Sequence, residues 1–174
     1  MRRRWVILIM LLLFIVEGSL MPWLIPADWL GRLVPQFTFV FVLYASLYAG
    51  RHAALMLGIS FGLLQDLVFY GHLIGVHAFA MGLCGYVVGL LLSFKRIPML
   101  TVLSLIGMTC LLYDSIIYGM YRVFRVTHDT YVLALMQHIL PSLFLQLAFA
   151  LAVYVPARRW FSDFGQKKPL DDAV

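Results

Sequence analysis

The sequence predicts an all-α polytopic membrane protein with six transmembrane helices. Three observations predict it. Of 174 residues, 63% are hydrophobic and only 12% are charged, whereas ordinary soluble domains run at roughly 45–50% apolar and about 25% charged. The mean hydropathy is +0.94. Apolar stretches recur along the whole chain, each near the ~20 residues that a helix needs to cross hydrocarbon. These runs do not alternate apolar with polar residues, as the roughly ten-residue strands of a membrane barrel must.

The first helix is expected over 5–25. It follows Arg2, Arg3 and Arg4, the flank of a signal peptide, but it is too long for that and lacks an A-x-A exit, so it reads as a retained helix. The second, over 36–50, is short and is preceded by "ADWLGRLVPQ". There Trp29 suits a membrane interface and Pro35 a first helical turn. The remaining helices are expected over 53–70, 74–94, 98–121 and 131–155, followed by a tail over 156–174. Loops of a few residues leave no room for a soluble domain, so 1–174 reads as a single transmembrane domain. Cys84 and Cys110 both lie in apolar runs and read as small core residues, not as a disulfide or a metal site.

Basic residues set the orientation. With a cytoplasmic N-terminus, Arg2, Arg3, Arg4, Arg51, Lys95, Arg96, Arg158, Arg159, Lys167 and Lys168 face the cytoplasm, against Arg32, Arg122 and Arg125 outside. An even number of spans then puts both termini in the cytoplasm of a cell membrane. The net charge of +5 is thus a topology signal. It does not point to nucleic acid, because no basic stripe with interleaved aromatics occurs.

Helices in lipid associate through close backbone approach at small residues. The third helix carries Gly50, Ala54, Gly58, Gly62 and Asp66, each four apart, and the fourth carries Gly75, Ala78, Gly82, Gly85 and Gly89, alternately three and four apart. Both stripes read as packing seams, against each other or against partner helices. Asp66 ends the first stripe. A carboxylate in the apolar zone costs about 2.5–3.5 kcal/mol at mid-bilayer, so it must face protein or trapped water. It caps the "YGHLIG" turn through backbone N–H groups, or pairs with a cation, with His72, His77 and Arg122 as candidates, or it serves a ligand or a proton. Three further polar positions fall in the outer half: Glu17 in "FIVEGSL", Asp114 in "CLLYDSIIYG", and His138 in "MQHILPSLFLQ", beside Gln137, Gln146 and the helix-interior Pro141. The proline removes one backbone donor and frees a carbonyl near Gln137 and His138. Glu17, Asp66, Asp114 and His138 are candidates for one shared polar cavity opening outward, or each is satisfied separately.

Catalytic patterns are missing. There is no H-E-x-x-H, G-x-S-x-G, P-loop or G-x-G-x-x-G, and His72 and His77 are five apart, off the i, i+4 ligand spacing. Neither an enzyme nor a cofactor is expected.

Several features in order carry a family resemblance: "LVPQF" (33–37), the G-x-x-x-G-x-x-x-D run of Gly58, Gly62 and Asp66, "LIGVHAF" (73–79) followed by "GLCGYVVG", and Glu17 late in the first helix. In these the chain resembles the rod-shape-determining MreD family, especially its Gram-positive forms. The resemblance implies a non-enzymatic membrane component of the cell-elongation machinery, partnered by MreC. It also implies association with the RodA glycosyltransferase, its transpeptidase partner and MreB filaments in organising peptidoglycan synthesis. The implied fold is that of the six-helix substrate-binding subunit of energy-coupling-factor transporters, and that kinship supplies a rival function, capture of a vitamin.

Overall fold

The structure, a computed structural model, describes residues 2–19, 23, 35–69, 73–92, 99–127 and 130–165. Trp29, Arg32, Gly71, His72, Lys95, Arg96, Lys167 and Lys168 lie outside the described residues. Among the described residues six helices run in order: α1 (Arg2–Ser19), α2 (Phe37–Ala49), α3 (Arg51–Val68), α4 (Val76–Leu92), α5 (Met99–Val123) and α6. The last begins as α-helix over Tyr131–Ala134, passes through a π-helical turn at Leu135–Ile139 and continues as α-helix over Leu140–Gly165. No strand occurs among the described residues.

The short α2 stands at the centre. Its residues are apolar all round, which is the composition of a helix enclosed by others, and every side chain from Phe37 to Ser46 is buried. The other five helices all pack on it. Tyr44, in its middle, donates its hydroxyl to the Ala150 carbonyl of α6 at 2.6 Å. Phe39 stacks on Tyr113 of α5 with ring centroids 4.1 Å apart. The outer surface is the reverse of a soluble bundle's, since large apolar side chains such as Leu8, Leu12, Met56, Leu91, Leu100, Met108 and Phe144 are exposed. Patches of that kind on a monomer mark contact with lipid or protein. Met99–Val123 and Tyr131–Tyr154 are long and apolar enough to cross a membrane, and Val6–Ser19, Phe37–Ala49 and Val76–Leu91 are shorter apolar helices.

Of all pairs, α3 and α4 meet over the longest contact. They run antiparallel in a constant register, read from where a Cβ added to each glycine would fall. Gly89 lies against the Arg51 backbone, Gly85 against Ala54, Gly58 against Met81 and Gly82, and Gly62 against His77 and Ala78. Each step is close to one helical turn, so the two backbones touch along the stripe.

Two glycines of the predicted seams do something else. Gly75 precedes α4 with φ +99°, and Gly50 separates α2 from α3 with φ +96°; a Cβ on either would meet nothing within 4 Å. Both sit in the left-handed region that side chains disfavour, so they turn the chain and pack against nothing. For the same reason α4 opens at Val76, two residues later than the sequence suggested. In α6 the π turn, absent from the sequence reading, lies directly before Pro141. Proline offers no N–H to the carbonyl four residues back, and widening the preceding turn re-pairs the ladder, with Leu140 N–H reaching the Leu135 carbonyl.

The seam makes a graded prediction. A methyl on Gly62 would fall 2.5 Å from Ala78 Cα, backbone that cannot step aside, whereas one on Gly82 would fall 2.9 Å from Ile59 Cγ1, an atom of an exposed side chain and not of the backbone. Gly62→Ala should therefore destabilise the protein by about 1–3 kcal/mol, the usual range for overpacking, and Gly82→Ala by clearly less. Leu63→Ile, on the exposed face of α3, should be nearly silent. Thermal unfolding in detergent, followed by fluorescence-detected size exclusion, ranks the three, and equal effects would mean that the seam is not close-packed.

Candidate functional site

The first N–H groups of a helix have no partner within it, and an apolar surrounding offers no water to replace one. At the start of α2 the local residue Gln36 makes no side-chain cap. Glu17, from the end of α1, serves instead: its Oε2 accepts the Thr38 backbone N–H at 2.9 Å and the Thr38 hydroxyl at 2.8 Å. Its Oε1 accepts Gln65 Nε2 of α3 at 3.3 Å. Negative charge at this end is also favoured by the helix dipole.

Asp66 does the same for α4. Oδ2 accepts the backbone N–H groups of Gly75 at 2.8 Å and Ala78 at 3.3 Å, and Oδ1 accepts that of His77 at 3.4 Å. Oδ1 also lies 2.7 Å from His77 Nδ1. The carboxylate continues the α3 stripe by one step: where Gly62 meets Ala78, Asp66 meets the first turn of α4.

Gln36, freed from capping, bridges the bundle. Its Nε2 donates to Asp114 Oδ1 on α5 at 3.0 Å, and its Oε1 accepts Gln146 Nε2 of α6 at 3.0 Å. Asp114 then faces a cavity of about 330 Å³ at the end of the bundle where α2, α4 and α6 begin, lined also by His77, Tyr118, Tyr121, His138 and Ser142. Asp114 Oδ2 is buried without a hydrogen-bond partner.

Of the four residues read as candidates for one outward cavity, Asp114 and His138 line it. Asp66 touches it through His77, and Glu17 is turned away, toward Thr38 and Gln65. Of the possible cations for Asp66, His77 is in contact, while Arg122 donates to the Tyr118 hydroxyl at 3.2 Å. Gln36, Thr38 and Gln65 were not singled out from the sequence, although each is a polar side chain in or beside an apolar run, the signal that drew attention to the acids. Among the described residues, no three His, Cys, Asp or Glu side chains converge as a metal site requires.

The sequence profile of the family described as rod shape-determining protein MreD matches residues 1–164. The chain belongs to the MreD family. Membership makes it a membrane protein that takes part in rod-shape determination, a structural component of that process. No curated protein and no solved structure matches the chain.

The two caps respond differently to loss of charge. Asp66 uses both oxygens for backbone donors, so the amide of Asp66→Asn presents one group of the wrong polarity. An unpaired buried donor costs about 1–3 kcal/mol, so stability should fall in the order Asp, Asn, Leu at this position. Glu17→Gln should be mild. One oxygen can stay on Thr38, and the new amide can donate to Gln65 Oε1, which has no partner now, once the Gln65 amide flips. Melting temperatures of the three variants in one detergent test this. An Asp66→Asn protein as stable as Glu17→Gln would contradict the capping geometry.

Proposed function

We propose that this MreD-family protein is a non-enzymatic, six-span scaffold of the cell-elongation machinery that binds MreC and helps to organise peptidoglycan synthesis. RodA, its transpeptidase partner and MreB are further members of the same assembly. Both termini lie in the cytoplasm, which puts Glu17, Asp66 and the cavity in the outer half of the membrane. Family membership over residues 1–164 carries the reading. The use of the acids supports it: Glu17 and Asp66 are spent on fixing helix ends, which shapes a rigid rim suited to holding a partner helix. The six-helix arrangement is in our reading that of the substrate-binding subunit of energy-coupling-factor transporters. The cavity beside Asp114 keeps the rival reading, vitamin capture for such a transporter, in view.

Affinity purification in mild detergent separates the two. MreC should copurify; ATPase subunits and a vitamin in its place would establish the rival. Orientation has its own test. Cys84 and Cys110 are buried, so single cysteines can be read above a low background. Thr130→Cys, at an exposed position, should label from outside intact cells. His52→Cys, at the other end of the bundle and also exposed, should label only after permeabilisation. External labelling at both positions would sink the topology.

A further inference from the structure

We propose that the cavity at the outer end of α5 and α6 binds a primary ammonium group, with Asp114 as its counter-ion. The argument begins with hydrogen-bond accounting. Both ends of the Gln36 amide are used, one on Asp114 Oδ1 and one on Gln146. This fixes the Asp114 carboxylate while leaving Oδ2 buried and without a partner. A carboxylate oxygen in an apolar surrounding is costly unless a donor meets it. What Oδ2 lacks is a donor.

Charge points the same way. Among the described residues Asp114 is the one acid in the cavity wall, and no Lys or Arg side chain lines it. Of the two histidines in the wall, His77 is engaged by Asp66, and neither His77 nor His138 bonds to Asp114, whose Oδ2 has no partner among the described residues. The nearest arginine along α5, Arg122, stands eight residues on, about 12 Å along the axis, where it donates to the Tyr118 hydroxyl. The walls suit a cation as well. Tyr118 and Tyr121 line it, and the faces of aromatic rings attract positive charge. The π turn of α6 supplies the opposite wall at His138 and Ile139; single π turns in α-helices are frequent at functional sites.

A primary ammonium differs from a quaternary one in the property that matters at Oδ2: it carries three N–H donors, and a quaternary nitrogen carries none. The volume of about 330 Å³ admits a headgroup-sized molecule. Two sources offer this chemistry, a free small amine and the ethanolamine headgroup of a phospholipid.

The test uses the full chain in maltoside detergent. Ethanolamine and tetramethylammonium are titrated at equal ionic strength, with thermal stability as the readout. Retention of phosphatidylethanolamine and phosphatidylcholine is compared by native mass spectrometry. The expected result is at least a tenfold preference for the primary over the quaternary member of one or both pairs. Preference within the soluble pair alone assigns a free amine, and preference within the lipid pair assigns the headgroup. Asp114→Asn, which keeps an acceptor for Gln36, should lose the preference by tenfold or more while eluting as a single species. Equal binding of primary and quaternary forms by the unaltered protein, no binding of either, or a preference undiminished in a folded Asp114→Asn protein would each overturn the proposal. Should that variant not fold, the comparison on the unaltered protein decides alone.

Discussion

A helix whose first turn is buried must find partners for its first N–H groups, and much of this structure follows from how two helices do so. α2 spans 13 residues, about 20 Å at 1.5 Å per residue, against a hydrocarbon core of about 30 Å. It is shorter than such a core, and its first turn is enclosed by side chains. No residue at its own start caps it. Glu17 of α1 does so from a neighbouring helix, and Asp66 of α3 does so for α4. Each carboxylate is tied to a helix other than its own. The caps therefore fix how neighbouring elements stand relative to one another, besides satisfying donors.

The polar ladder is a consequence. With Glu17 occupying the Thr38 N–H, Gln36 is free to lie across the end of the bundle between α5 and α6. An amide suits this place because it donates at one end and accepts at the other. The short length of α2 also leaves room above its first turn, and the cavity beside Asp114 occupies that end. Polar side chains inside membranes are expensive and are generally paired or functional. Here Glu17, Asp66 and Gln36 are paired within the fold, whereas one oxygen of Asp114 is not.

The sequence revealed the seam and the acids because both break an apolar background with a regular spacing. Gly58, Gly62 and Asp66 follow a four-residue step, which any helix turns into one face. What the residues do at that face was less legible. Glycine has two uses, close approach and positive φ, and spacing alone cannot separate them: Gly75 falls both on the small-residue stripe and in the turn before α4, and its φ of +99° gives it to the turn. Glu17 was grouped with Asp114 by depth. Depth carries no azimuth, and Glu17 points toward α2 and α3. The amides Gln36 and Gln65 were overlooked for want of charge, although their partners are the very acids that were noticed. Pro141 announced a disturbed ladder in α6, but a missing donor does not say whether the helix will kink or widen, and it widened.

Chain order gives the α3–α4 pair a further meaning, in time. Its contacts lie close in sequence, from Asp66 to Gly75 nine residues on, to Arg51 and Gly89 at the far end. This hairpin can zip together as soon as its two helices have left the ribosome, with its turn already held by Asp66. The bonds around α2 belong to another stage. Tyr44 waits for Ala150, 106 residues later, and Gln36 waits for Gln146, 110 residues later. Loop closure over such distances is slow and comes after local pairing. The central helix is therefore among the first made and the last enclosed: until α6 arrives, the polar end of α2 stands open to whatever else in the membrane can bind it.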